Sequence, residues 1–168
     1  MSKRARVAEV LLWLLVLYTG IEVGGGLYEL RVLTPVYLSD PPESIWRLQE
    51  FGVAHPDQQI RSGPRFWLFT TPFVGILAVS NLAVSATMPG PRRKWLLIAT
   101  LSILALFAFT YFYFVPTLIE IMDSKKLGLA PEIIRSKAHW WTRLNWVRLA
   151  AYFGAWLAAL RSLTIRLG

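Results

Sequence analysis

The chain has 168 residues, enough for one domain and too few for two well-packed ones. Hydrophobic residues make up 55% and charged residues 17%, and the apolar residues come in long blocks, which excludes an ordinary soluble domain. A net charge of +8 raises the question of nucleic acid, but the charges sit in short clusters at the ends of apolar blocks: Lys3, Arg4 and Arg6, then Arg92, Arg93 and Lys94, then Arg161 and Arg166. Clusters so placed act as topology signals and as contacts for anionic lipid headgroups, so membrane lipids are the expected partners and nucleic acid is not. The absence of cysteine rules out disulfides, thiolate metal ligands, iron–sulfur clusters and a Cys nucleophile.

Span one is expected from about Val7 to Val36. It opens basic and then apolar like a signal peptide, but it lacks a small-residue cleavage site and its apolar run is too long for a signal core, so it reads as a retained helix. Glu22 and Glu29 lie within it, seven residues apart, which puts them about 20° apart around the helix and roughly 10 Å apart along it. Gly24, Gly25 and Gly26 between them weaken the helix, but let a neighbouring backbone or a ligand come close.

The loop from about Tyr37 to Arg65 opens with Asp40-Pro41-Pro42-Glu43-Ser44, a helix-start pattern in which the prolines can occupy the first turn. Ile45, Trp46, Leu48 and Phe51 follow at helical spacing, which predicts a short amphipathic helix at the membrane surface over the mouth of the bundle. A solvated loop is the competing reading. His55, later in this loop, is expected in solvent.

Spans two and three are expected over Phe66–Met88 and Trp95–Met122, joined by the tight turn Met88-Pro89-Gly90-Pro91, which makes them antiparallel neighbours. The run Phe109, Tyr111, Phe112, Tyr113 and Phe114 lies within span three, where some rings can line a flat apolar cavity. Pro116 opens the helix beside them. The end of span one, Tyr28 to Pro35, and the end of span three, Tyr111 to Thr117, look weakly alike, as a parallel internal repeat would.

Span four is expected from about His139 to Leu163, after a loop of mixed charge from Asp123 to Ala138. Trp141, Asn145, Arg148 and Tyr152 fall on one face of it. Trp67, Trp95, Trp140 and Trp141 mark span ends, as interfacial belts do. His139 reads as a headgroup-level residue, with a role as a base only if it turns inward towards Glu120. The fold expected is therefore all-α: a single domain forming an integral membrane four-helix bundle, up-down-up-down. The positive-inside rule puts both termini and the short turn in the cytoplasm.

Ionisable groups inside a membrane are expensive and mark sites by default. Counted from the helix ends, Glu29 and Arg148 lie at similar depth and Glu22 within reach, so an Arg148–Glu29 or Arg148–Glu22 ion pair is expected, with Asn145 beside it. One Arg neutralises one Glu, and the second carboxylate must then be protonated, bind a cation or meet a polar ligand. A register device for the bundle is the alternative. No metal is expected, because Glu-x-x-His and His-x-x-x-His pairs are absent, and no haem, because no His lies mid-span.

The segments Gly25-Gly26-Leu27-Tyr28-Glu29 and Trp141-x-x-Leu144-Asn145-x-x-Arg148 resemble the anthrone oxygenase-like integral membrane proteins. The resemblance implies a bacterial plasma-membrane protein with Glu29, Asn145 and Arg148 in its core site. It also implies kinship with enzymes that oxidise polycyclic anthrones with dioxygen, using no metal or flavin. Two functions are expected on this basis. One is a site that binds or oxidises a lipophilic aromatic, quinone-like molecule without a cofactor, Glu29 or Glu22 removing a proton while Arg148 and Asn145 stabilise the oxyanion. The other is a non-catalytic accessory subunit, meeting partner membrane subunits or a second copy of itself. Transport is a third option, and needs a dimer.

Overall fold

The computed structural model describes residues 3–55, 62–88 and 90–165, with the side chains of 62–64 left aside. Pro89 of the tight turn, residues 56–61 of the long loop and Arg166 of the last basic cluster lie outside the described residues. Among those described there is no strand. The helices are α1 (Lys3–Tyr37), α2 (Glu43–Ala54), α3 (Ser62–Ser85), α4 (Gly90–Met122), α5 (Ser124–Leu127) and α6 (Pro131–Thr164).

Helix α1 packs on α3 and α6, and α4 packs on the same two, so the four long helices close a ring in which each touches its neighbours in sequence. Three of them, α1, α3 and α4, hold stretches long and apolar enough to cross a membrane. Helix α6 has the length, with 34 residues, but Arg135, Lys137, Arg143 and Arg148 dilute its apolar character. The outward faces stay apolar: Trp13 and Leu17 of α1, Leu68 and Ile76 of α3, Phe112 of α4 and Val147 of α6 are all exposed. Apolar residues on the outside of an already packed bundle suit a lipid solvent.

Two apolar clusters fill the interior. One joins Leu12 and Leu15 of α1, Val74 and Ala78 of α3, Leu96 and Ile103 of α4, and Ala155 and Ala159 of α6. The other joins Ile45 of α2, Phe114 and Ile121 of α4, and Ile134, Ala138 and Trp141 of α6. The short loop helix is therefore present and covers one end of the bundle. Its Ile45 is fully buried, and Gln49 Nε2 donates to Met122 O at 2.7 Å. Its start differs from expectation, since Pro41 and Pro42 precede the first turn instead of forming it. Ser44 Oγ bridges back to Tyr37 O at 2.9 Å, tying the helix to the end of α1.

The fourth long helix also begins earlier than expected, at Pro131, and the preceding segment holds α5, so most of Asp123–Ala138 is helical instead of loop. Hydropathy misses these turns because they are polar. The local chemistry is that of a helix start: Ala130 is extended ahead of a proline in the first turn, and Glu132 complements the helix dipole. Gly128, at φ 61°, stops α5 in the left-handed conformation.

Both α1 and α4 contain one widened π turn, at Glu29–Leu33 and at Thr110–Phe114. In each, an N–H bonds the carbonyl five residues back, Thr34 to Glu29 and Val115 to Thr110, and a proline follows immediately, Pro35 and Pro116. A proline has no N–H and its ring presses on the carbonyl four residues earlier; the extra residue in the turn relieves that clash. The weak likeness of the two span ends is thus matched in backbone, with Glu29 and Thr110 in the same place.

Candidate functional site

A cavity of about 360 Å³ lies between the two π turns and the inner face of α6, and it opens outward where the exposed Leu68 of α3 and Ile119 of α4 line it. Its wall is mostly apolar, with Leu30, Phe114, Leu118 and Leu149 among its residues. Into it come Glu22 and Glu29 from α1, Thr71 from α3, Thr110 from α4, and Asn145, Arg148 and Tyr152 from α6. The four residues expected in the site, Glu22, Glu29, Asn145 and Arg148, thus line one space, and Trp141 and Tyr152 join them on the same face of α6.

The expected ion pair does not form. Neither carboxylate lies within salt-bridge distance of Arg148 among the described residues. The guanidinium instead donates from Nη1 to Thr110 Oγ1 at 3.1 Å and lies over the Phe114 ring, 4.4 Å from its centre. The physical reason is the cavity itself, which the three charged groups share without closing it. The π turn supplies both partners of Arg148.

The two glutamates are not equivalent. Glu29 Oε1 accepts from Tyr37 Oη at 3.2 Å, and Oε2 accepts from Trp67 Nε1. Thr34 Oγ1 lies 3.3 Å from the same Tyr37 hydroxyl and completes a short chain. Glu22 is more deeply buried, 4% exposed, and its Oε1 has no partner. The Thr71 and Tyr152 side chains hydrogen-bond to the Glu22 carboxyl, and Arg148 acts on it through space. Asn145 is 2% exposed and its amide makes no hydrogen bond among the described residues. A buried carboxylate oxygen left unpaired is costly, and such a group in a cavity wall marks a place where a polar partner fits.

Sequence reasoning missed Tyr37, Trp67, Thr71 and Thr110. Trp67 and Trp141 were expected in the interfacial belt; both turn inward. Trp67 holds Glu29, and Trp141, 3% exposed, donates to Phe114 O at 3.0 Å. Trp140, 54% exposed, keeps the outward position. His139 is exposed, and Glu120 pairs with Lys137 at 2.9 Å. His55 is exposed and stacks on Phe51. Asn81 acts as a fastener, its Nδ2 donating to Leu11 O at 3.0 Å and Leu77 O at 2.9 Å. Among the described residues, no group of three or more His, Asp or Glu side chains is placed to hold a metal.

An all-helical ring with long apolar helices, holding a mostly apolar cavity with a few polar groups in its wall, is consistent with a small membrane protein. A family model described as anthrone oxygenase matches residues 62–158, more than half of the chain, and the chain belongs to that family. The matched stretch carries Asn145, Arg148 and Tyr152, whereas Glu22 and Glu29 precede it. No curated protein and no solved structure matches the chain.

Proposed function

We propose that the chain crosses the bacterial plasma membrane four times, up-down-up-down with both termini cytoplasmic, and oxidises a lipophilic aromatic ketone of the anthrone type inside its cavity. The unpaired Glu22 oxygen carries this reading, since Glu22 lines a mostly apolar cavity together with the donors Arg148 and Asn145. The cavity volume falls within the range usual for small-molecule sites. Membership of the anthrone oxygenase family supplies the substrate class.

In this reading Glu22 takes a proton from the acidic benzylic CH₂ group of the ketone. The electron pair left behind delocalises onto the ketone oxygen, where Arg148 and Asn145 donate hydrogen bonds to the growing negative charge. Dioxygen accepts that pair, a C–O bond forms, and the peroxide takes the proton back. Loss of the second benzylic hydrogen as a proton, with cleavage of the O–O bond, expels water and leaves a carbonyl. One CH₂ group and one dioxygen become one C=O and one water. Glu22 is preferred to Glu29 as the base because the donors on Glu29 occupy both of its oxygens. Glu29 instead holds Trp67 against the cavity.

The test is reconstitution in nanodiscs with anthrone, following dioxygen uptake and anthraquinone formation. Saturable oxidation above the spontaneous rate, lost in Glu22→Gln and in Arg148→Met, is expected. Protein that is stable, binds no aromatic ligand and purifies only with partner chains would instead point to an accessory subunit.

A further inference from the structure

The residues lining the central cavity divide by exposure. Those from α1 and α6 are buried or half-buried, whereas Leu68 of α3 and Tyr111, Val115 and Ile119 of α4 are exposed, Leu68 to 75%. Among the described residues the exposed side of the cavity is therefore the one between α3 and α4. Its two ends lie against apolar packing instead. Tyr152 belongs both to the wall and to the cluster around Leu12, and Phe114 and Trp141 belong both to the wall and to the cluster beneath α2.

The two helices meet and then part. A Cβ on Gly75 would lie 2.8 Å from the Phe107 ring, so α3 and α4 approach closely there. Beyond Phe109 they hardly touch among the described residues, while α4 stays packed on α6. The parting coincides with the π turn Thr110–Phe114 and with Pro116, two features that commonly bend a helix. Leu68, Thr71 and Gly75 share one stripe of α3, and Phe107, Tyr111 and Val115 share one stripe of α4. Both stripes lead from the close contact to the exposed rim, and Phe107 packs on Tyr111 with ring centres 4.7 Å apart. Thr71, next to Leu68 on its stripe, hydrogen-bonds to Glu22, so a molecule passing the rim comes to the proposed base.

We infer that this opening is a side port by which a flat, uncharged aromatic molecule passes between the bilayer and the cavity, with Leu68 and Ile119 on its rim. The inference rests on the reading of the central cavity as a ligand site. The surface beside the rim is apolar, with Phe69 and Phe112 both exposed, and suits lipid. A charged molecule would cross that rim without a partner, at high cost, so the ligand enters neutral and any proton is lost inside.

The chain has no cysteine, so Leu68→Cys introduces a single thiol at the rim. The full-length variant in liposomes is treated with methyl, propyl or benzyl methanethiosulfonate, each removable with dithiothreitol. Rapid mixing with protein-free vesicles carrying anthraquinone starts loading, excess empty vesicles start release, and tryptophan quenching follows both. The benzyl adduct is expected to slow loading and release alike, by about ten-fold, with little effect of the methyl adduct and full recovery in dithiothreitol. The same adducts on Ile76→Cys, at an exposed position of α3 outside the cavity wall, should leave both rates unchanged. Loading rates at Leu68→Cys that ignore adduct size, or an end-point that falls without slower loading, would overturn the port. Equal slowing at Ile76→Cys would also sink it, since the effect would then belong to the bilayer. Wild-type protein without saturable quenching would instead remove the ligand-site reading itself, which keeps the two failures apart.

Discussion

Glu22 and Glu29 face one cavity from the same helix, yet Glu29 has a donor on each oxygen while Glu22 has an oxygen with none. Glu29 is thus held through both oxygens, and the proposed mechanism gives the base role to Glu22, which keeps one oxygen without a donor. Glu22→Gln is expected to cut turnover by about 10² to 10⁴-fold, the usual worth of a general base. It should cost little stability, since it removes a buried carboxylate that lacks a full set of partners. Glu29→Gln keeps the base, and is expected to cost less activity and about 1 kcal/mol of stability through the weakened hold on Tyr37 and Trp67. Turnover of anthrone and thermal unfolding, measured on the same two variants, separate these effects. Equal activity losses in both would remove the assignment of Glu22 as base.

At the opposite end of the bundle Arg92 is buried, 3% exposed, and its Nη2 meets Glu9 Oε2 at 2.6 Å. Ser162 Oγ donates to the Arg92 carbonyl at 3.2 Å and brings in α6. This residue was expected as one of a basic trio at a membrane surface, and it serves instead as an internal tie between α1 and α4. Glu9→Gln leaves a buried guanidinium without its counter-charge, an expected loss of about 3 kcal/mol, the low end of the range for such pairs because Glu9 keeps some exposure. The double variant Glu9→Gln, Arg92→Met should be more stable than Glu9→Gln alone. A double-mutant cycle on detergent-solubilised protein reads the coupling directly, and strict additivity would show that the pair contributes nothing.

What the sequence made legible, and what it hid, follows from the range of the interactions. Apolar blocks located the four long helices, of which α1, α3 and α4 hold stretches of bilayer length, and helical spacing put Trp141, Asn145, Arg148 and Tyr152 on one face, which is where the cavity lies. Depth counting brought Glu29 and Arg148 to similar depth with Glu22 within reach, but could not tell a closed ion pair from a shared space, because that depends on where Thr110 and Phe114 sit. Trp67 is like Trp140 in sequence, at the edge of an apolar block; only the presence of Glu29 opposite turns its indole inward. The polar start of α6 was hidden from hydropathy, though Pro131 and Glu132 were signals of a helix start.

Asn81 donates from one amide nitrogen to Leu11 O of α1 and to Leu77 O of its own helix, while its Oδ1 has no partner. Asn81→Ala removes the cross-helix bond and leaves a void, an expected loss of about 1–2 kcal/mol. Asn81→Leu fills the space and removes the unpaired oxygen, so it should cost less. Thermal unfolding in detergent orders the two, and anthraquinone binding should be unchanged in both because Asn81 is not part of the cavity wall. An Asn81→Leu variant less stable than Asn81→Ala would show that the amide hydrogen bond, and not the packing, dominates.

The two π turns make the last prediction. Each precedes a proline, and each first residue holds one polar group of the site: Glu29 meets Trp67 and Tyr37, and Thr110 meets Arg148. Pro116→Ala restores an N–H and removes the ring, so α4 is free to return to regular helix. That change rotates residues before it by part of a turn relative to those after it, and carries Thr110 and Phe114 away from Arg148. Helix content and thermal stability should be equal to or above wild type, while anthraquinone affinity falls by about ten-fold, a loss of about 1.4 kcal/mol. Pro35→Ala should act in the same way on Glu29, loosening its hold on Trp67 and Tyr37 and lowering anthraquinone affinity. Circular dichroism paired with tryptophan quenching measures both quantities. Unchanged affinity in Pro116→Ala would mean that the π turn persists without its proline, and that the backbone at Thr110 is set by packing against α6 instead.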